Sequence, residues 1–246
     1  MKAELRRCYR NSRKESSTVE RECHGGVTWL AQRDLDPRLK KKLIADPDQF
    51  FQGQPLLKDG NTCTVVEVVE SGKTYVLKRY NPKSLLYRVG HLFSTPRALL
   101  NWSNGCVLQS FGVATPQPLA CLLLKSSAGL LRKAYVLMEY VHGRSLSGVD
   151  RAEILKDDPP HIPQQFARLC RKLNSLDATH GDFKASNFMI DQKGGLILID
   201  LDSLKFHQMQ FVKERSQAKD MSRFMKNWKN DPEVQAVFKR LLDATG

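Results

Sequence analysis

The chain lacks any apolar run long enough to cross a bilayer. Its longest, about residues 118–124, falls far short of the roughly 20 residues that a spanning helix needs. The first 24 residues are charged and hold no apolar stretch, so no secretory signal is expected there. The six cysteines form no C-x-x-C pair and follow no regular spacing, which excludes a disulfide scaffold or a zinc framework. The expectation is buried, reduced thiols in a cytosolic protein. The six histidines are scattered without metal-ligand spacing, and there is no internal repeat and no low-complexity tract. The most informative lack is of negative charge: no Asp or Glu occurs between Ser71 and Met138.

What is present bounds the fold. A length of 246 residues suits one large domain or two small lobes around a shared cleft, and 41% apolar residues can build a sizeable core. Lys and Arg number 39 against 26 Asp and Glu, a formal charge of +13. A chain this basic meets polyanions. Nothing resembles a helix-turn-helix, zinc or RNA-binding motif, so no specific nucleic acid is expected, and the chain is expected to be a monomer.

Residues 1–25 read as a basic mobile tail or loosely docked helix. Strands are expected at 26–30, 63–69, 74–80, 119–125 and 134–140, with a hairpin turn at 71–73. One helix starts at Thr95-Pro96 and ends before Gly112. In the second half, Phe166, Leu169, Cys170, Leu173 and Leu176 mark an amphipathic helix. A polar loop over 179–187 follows, then short strands at 188–190 and 196–199. Helices are expected at 212–228 and from Asp231-Pro232 to about residue 244. The expected fold is therefore α+β with two lobes: a β-rich antiparallel lobe with one helix at 26–141, and a mainly helical lobe at 142–246.

The chemistry-bearing stretch is H-G-D-F-K-A-S-N, from His180 to Asn187, followed after an apolar strand by Asp200. Phosphoryl transfer from Mg·ATP needs a carboxylate for the acceptor proton, oxygen ligands for Mg²⁺ and a cation near the transferred phosphate. The protein-kinase signature supplies these as H-R-D-L-x-x-x-N and then D-F-G. His180, Asp182 and Asn187 match with the same step from Asp to Asn, and Asp200 ends the next strand, which puts Asp182, Asn187 and Asp200 on two loop ends facing one point. Upstream, Y-V-L-K ending at Lys78 matches the strand whose lysine contacts the α- and β-phosphates. The stretch 58–62, with Gly60 and Asn61, stands where a phosphate-covering loop would, with a single glycine. Glu139 to Val141 fit the lobe hinge that hydrogen-bonds adenine.

These residues, together with W-x-x-G from Trp102 to Gly105, F-G-V-A-T-P-Q-P from Phe111 to Pro118, I-D-L-D from Ile199 to Asp202 and K-D-M-S-R-F-M-K-N-W from Lys219 to Trp228, resemble the bacterial lipopolysaccharide core (Kdo/heptose) kinase family, a branch of the protein-kinase-like fold. The resemblance covers about residues 26–240. It implies ATP- and Mg²⁺-dependent phosphorylation of a lipopolysaccharide core sugar, in the cytoplasm and peripheral to the inner membrane. It makes Asp182 the catalytic base and Lys184 the residue facing the γ-phosphate. Lys78 would be the phosphate lysine, and Asn187 and Asp200 the Mg²⁺ ligands.

Two features bear on the acceptor. Only 19 residues separate Asp200 from Asp220, there is no A-P-E, and 26 residues follow Asp220, so little chain is left to hold a peptide. Nine Lys or Arg fill the acid-free stretch, which suits a surface beside an anionic membrane or a phosphorylated core sugar. Kinases pair the strand lysine with a helix Glu, and here the helix has none. Asn101, Asn104 or Gln109 of that helix could hydrogen-bond Lys78 without neutralising it; either Lys78 is held by phosphate alone, or an acid from elsewhere, such as Glu67 or Glu139, compensates. Asp220 is expected to accept hydrogen bonds from the His180 region. Asp202 is read as a second metal-side acid or a turn cap. The alternatives are a small-molecule kinase of the aminoglycoside or choline type, which wants an acidic pocket for a cationic acceptor, and a nucleotide-binding pseudokinase scaffold.

Overall fold

The structure, a computed structural model, describes residues 3–81, 94–156 and 161–243. The chain divides into two compact units, one of Arg7–Val107 with Pro116–Tyr140, the other of Met1–Arg6, Leu108–Thr115 and Val141–Gly246. Among the described residues no helix is long and apolar enough to cross a membrane.

The first unit is built on seven antiparallel strands: β1 (Val19–His24), β2 (Val27–Gln32), β3 (Leu56–Gly60), β4 (Cys63–Glu70), β5 (Lys73–Tyr80), β6 (Pro118–Lys125) and β7 (Leu131–Glu139). Their order across the sheet is β1-β2-β6-β7-β5-β4-β3. Alternation along each strand sends side chains to two apolar layers. One layer holds Trp29, Val66, Val68, Leu77 and Tyr135 against Leu39 and Leu43 of α2 (Pro37–Ala45). The other holds Leu30, Tyr80, Cys121 and Val136 against Ala98 and Trp102 of α3 (Arg97–Ser110). Lys78 lies two residues before Tyr80 and so belongs to the α3 side. Helix α3 approaches the sheet closely at Gly105, where an added Cβ would sit 3.0 Å from the Pro118 ring. That contact explains the W-x-x-G pattern.

Two expectations change here. Residues 3–24 form helix α1 (Ala3–Asn11) and the edge strand β1, paired with β2 along its whole length. Polar anchors on core tryptophans dock this segment, which composition does not reveal. The Trp102 indole donates to the Ser12 carbonyl (2.6 Å), and the Trp29 indole donates to Glu20 (2.8 Å), which also pairs with Lys40. Helix α2 is a second addition to the one expected helix. Asp36 caps it by accepting from the backbone N–H of Arg38 (2.7 Å), with Pro37 at the first position.

The second unit holds α4 (Arg151–Leu155), α5 (Ile162–Ser175), α6 (Gln210–Met225) and α7 (Pro232–Asp243). Its short strands are β8 (Gly143–Ser145), β9 (Ala178–Thr179), β10 (Phe188–Asp191), β11 (Leu196–Leu198) and β12 (Lys205–Phe206). A cluster of phenylalanines ties them together. Phe166 of α5 stacks on Phe224 of α6 with ring centroids 4.0 Å apart, and Phe238 of α7 packs edge-on to both. Phe183 and Phe188 complete the cluster, at 5.6 and 5.4 Å from Phe166. The polar loop is thus anchored to the core through Phe183. Burying one such ring is worth about 1.5–3 kcal/mol.

All six cysteines are free, and Cys63 and Cys121 are buried. Cys23 is exposed, contrary to the expectation of buried thiols, because it lies on the edge strand β1.

Candidate active site

Strand β9 delivers the chain into the loop 180–187, and the β10–β11 hairpin returns beside it. His180 is fully buried. Its Nε2 lies 3.0 Å from the Ile199 carbonyl, and its Nδ1 lies 3.4 Å from the Asp182 backbone N–H. A tautomer protonated on Nε2 satisfies both contacts. The Ile199 N–H donates to the Asn187 carbonyl at 2.9 Å. The loop and the strand end before Asp200 are therefore joined by two bonds, which brings Asn187 and Asp200 to the same end of the hairpin.

Asp200 turns the chain out of the strand with φ 63° and ψ 58°, a left-handed conformation that a short polar side chain tolerates. Asp202, next but one, is buried and accepts from the Ser203 hydroxyl at 3.4 Å.

The Asp182 carboxylate is engaged on both oxygens. Its Oδ2 lies 3.0 Å from Lys184 Nζ and accepts from Asn187 Nδ2 at 3.2 Å, while its Oδ1 accepts from Arg223 Nη1 at 2.6 Å. Arg223 also donates to the Gly181 carbonyl at 3.2 Å. Burial pushes the Asp182 carboxyl up, but Lys184, Asn187 and Arg223 outweigh it and hold the group below its ordinary value. It is a carboxylate at neutral pH.

Asn187 Nδ2 also donates to the Asp182 carbonyl at 2.7 Å. With both donor contacts on Asp182, the orientation of the amide is set and its Oδ1 is on the opposite side. That oxygen and the Asp200 carboxyl are hard donors of the kind Mg²⁺ takes, one or two protein ligands with phosphates and water supplying the rest. The residues fit the ion. Among the described residues no group of three or more His, Cys, Asp or Glu converges to form an all-protein cage.

Asp220 supports the loop from α6. Its carboxylate accepts the His180 N–H at 2.7 Å and the Gly181 N–H at 3.0 Å. Burial raises its pKa, and the bonds from Gly181 and His180 pull it down without cancelling that rise. Gly181 has φ 81°, and a Cβ there would meet the Ser203 carbonyl oxygen at 2.7 Å. Glycine is therefore required between His180 and Asp182, where the protein-kinase signature has arginine.

In the first unit, Lys78 is buried on β5, with Nζ 5.2 Å above the Tyr80 ring. The stretch 58–62, where the phosphate-covering loop is expected, is a tight hairpin. Residues 58–60 belong to β3, Gly60 pairs with Cys63, and only Asn61 and Thr62 form the turn. Cross-strand pairing extends further than one glycine suggested. At the end of β7, Glu139 exchanges bonds with Gln117: its N–H donates to the Gln117 carbonyl (3.0 Å), and its carboxyl accepts the Gln117 N–H (3.1 Å). Val141 begins the second unit, so the chain passes between units at Tyr140–Val141.

The basic stretch is less uniform than its sequence implied. Lys78 is buried, and Arg79 and Lys133 both pair with Asp48. Lys73, Arg97, Lys125 and Arg132 are exposed, and Lys83 and Arg88 lie outside the described residues.

Sequence reasoning missed Arg223, which bonds to Asp182. Arg223 had a signal: it follows Asp220 by three residues on a helix and so shares its face.

The model of the family described as "Lipopolysaccharide kinase (Kdo/WaaP) family" matches residues 58–244. No curated protein matches the chain. Among solved structures, that of WaaP in complex with acyl carrier protein is similar over 86% of this chain and 88% of that one, with 15% identity and a TM-score of 0.58. At that identity the likeness establishes the fold, which is protein-kinase-like.

Proposed function

The chain belongs to the lipopolysaccharide kinase (Kdo/WaaP) family and is a phosphotransferase with a sugar hydroxyl as acceptor; from that premise we propose that it transfers the γ-phosphate of ATP to a lipopolysaccharide core sugar, with Asp182 as the base. The observation that carries this reading is the Asp182 carboxylate, held ionised among Lys184, Asn187 and Arg223 and braced by Asp220 through the loop backbone.

Asp182 accepts the proton of the acceptor hydroxyl as that oxygen bonds to the γ-phosphorus and the bond to the β–γ bridging oxygen breaks. Lys184, adjacent to the base, offsets negative charge on the transferred group. Lys78 binds the α- and β-phosphates. Asn187 and Asp200 hold Mg²⁺, which when bound neutralises phosphate charge. The chain works as a monomer in the cytoplasm, at the anionic inner-membrane surface where its acceptor lies. The formal charge of +13 supports that placement, as does the exposed basic set of Lys73, Arg97, Lys125 and Arg132. The net basic charge disfavours a cationic acceptor of the aminoglycoside type.

The test is transfer from Mg·ATP to dephosphorylated lipopolysaccharide core, read by product mass. Asp182→Ala should lower turnover by roughly 10²–10⁴ with nucleotide affinity nearly unchanged. Equal turnover in wild type and variant would remove Asp182 from the role. Mg·ATP binding with no product would favour the pseudokinase reading.

A further inference from the structure

Asp182 does not present its two oxygens alike. Oδ2 carries Lys184 Nζ at 3.0 Å and Asn187 Nδ2 at 3.2 Å, the side chains given to the transferred phosphate and to Mg²⁺. Among the described residues Oδ1 has one side-chain partner, Arg223 Nη1 at 2.6 Å. A carboxylate oxygen has two lone pairs, so Oδ1 keeps one for an incoming hydroxyl proton.

Arg223 is fixed at its root and half exposed at its tip. It lies in the last turn of α6, next to Phe224, which is fully buried and stacked on Phe166. Three residues earlier, Asp220 holds the loop backbone. The Arg223 carbonyl accepts from Asn227 Nδ2 at 3.2 Å, and the Arg223 side chain is 51% exposed. A guanidinium has five N–H donors, two on each Nη and one on Nε. Nη1 makes both contacts with the loop, to Asp182 Oδ1 and, at 3.2 Å, to the Gly181 carbonyl. Nη2 and Nε have no partner among the described residues. Together they form an edge that takes a carboxylate or phosphate through two parallel bonds.

We propose that Arg223 binds an oxyanion of the acceptor, a carboxylate or a phosphate close to the reacting hydroxyl, through Nη2 and Nε, and so presents that hydroxyl to Asp182 Oδ1. Nη1 stays on the base. An anionic acceptor is repelled by the Asp182 carboxylate, and the guanidinium between them offsets that repulsion. Arg223 is then a specificity residue, favouring acidic acceptors over neutral ones of the same shape.

This rests on Asp182 as the base of a lipopolysaccharide core kinase, and a comparison of acceptors separates the two. Acceptor KM and kcat are measured at saturating Mg·ATP for wild type, Arg223→Gln and Arg223→Lys. The three acceptors are core that keeps its lipid phosphates, dephosphorylated core, and dephosphorylated core with its carboxyl groups methyl-esterified. Thermal melting of each variant serves as the control for folding. A change in the base itself affects all three acceptors alike and cancels in their ratios. Arg223→Gln should lower kcat/KM about ten- to a hundredfold on an acceptor that carries the recognised anion, chiefly through KM. Most of that penalty should vanish on the acceptor from which the anion has been removed. Its disappearance on dephosphorylation identifies a phosphate, and on esterification a carboxylate. Arg223→Lys keeps the charge without the fork and should fall between wild type and Arg223→Gln. A penalty equal on all three acceptors, or none, would overturn the inference and leave Asp182 as the base. No transfer by wild type to any of the three would overturn both.

Discussion

The brace between Asp220 and the loop 180–187 is open to a sharp test by Asp220→Asn. The carboxylate holds two backbone N–H groups: Oδ2 accepts from His180 at 2.7 Å and from Gly181 at 3.2 Å, and Oδ1 also accepts from Gly181 at 3.0 Å. An amide of the same shape has one oxygen. With that oxygen at the Oδ2 position both N–H groups keep an acceptor, but each bond loses its charge, a change of about 1–1.5 kcal/mol apiece, and the Gly181 N–H loses its shorter contact to an NH₂ group. The sum is a loss of about 2–3 kcal/mol. Urea unfolding should show it as a lower midpoint with unchanged slope. The same loop carries Asp182, so turnover should also fall, by about 10² for a displacement on the order of 1 Å. A variant within about 0.5 kcal/mol of wild type, with full turnover, would show that Phe183 and the hairpin hold the loop without Asp220.

Three further outcomes are expected. Gly181→Ala, with φ 81° and its Cβ 2.7 Å from the Ser203 carbonyl, should cost at least about 1–2 kcal/mol and disable turnover, as read by melting and by kinetics. Asp182 titrates below its ordinary value in the folded chain, so the stability from its ion pairs is fully present above the unfolded pKa and is lost as pH falls through the lower folded one. The acid limb of kcat/KM set by Asp182 should accordingly lie below the ordinary Asp value. Arg223→Gln should move it upward, and an unmoved limb would show that Arg223 does not tune the base. Asp200→Ala should abolish Mg²⁺-dependent ATP binding, measured as loss of the heat signal when Mg²⁺ is added with nucleotide. Retained Mg²⁺ dependence would shift the ligand role to Asp202.

Short-range chemistry made much of the chain legible from its residues alone. Runs of β-forming residues marked β4, β5, β6 and β7, and the 3.6-residue period marked α5. Thr95-Pro96 and Gly112 bracketed α3, and Asp231-Pro232 began α7. The step from His180 to Asn187, followed by an apolar strand ending at Asp200, needed no coordinates to be noticed, because its spacing and residue types are dictated by the chemistry they resemble.

The rest depended on partners distant in sequence. Helix α1 and strand β1 look like a solvated tail until Ser12 and Glu20 meet the indoles of Trp102 and Trp29. The nine basic residues between Ser71 and Met138 look like one uncompensated patch until Asp48, from before that stretch, takes up Arg79 and Lys133. Arg223 reaches Asp182 across 41 residues. Residue order determined which groups were available: an ordered set of carboxylates and amides, and no acid on α3. Only the tertiary structure decided how their charges are balanced, because electrostatic energy depends on distance in space and burial, and neither is written in sequence separation.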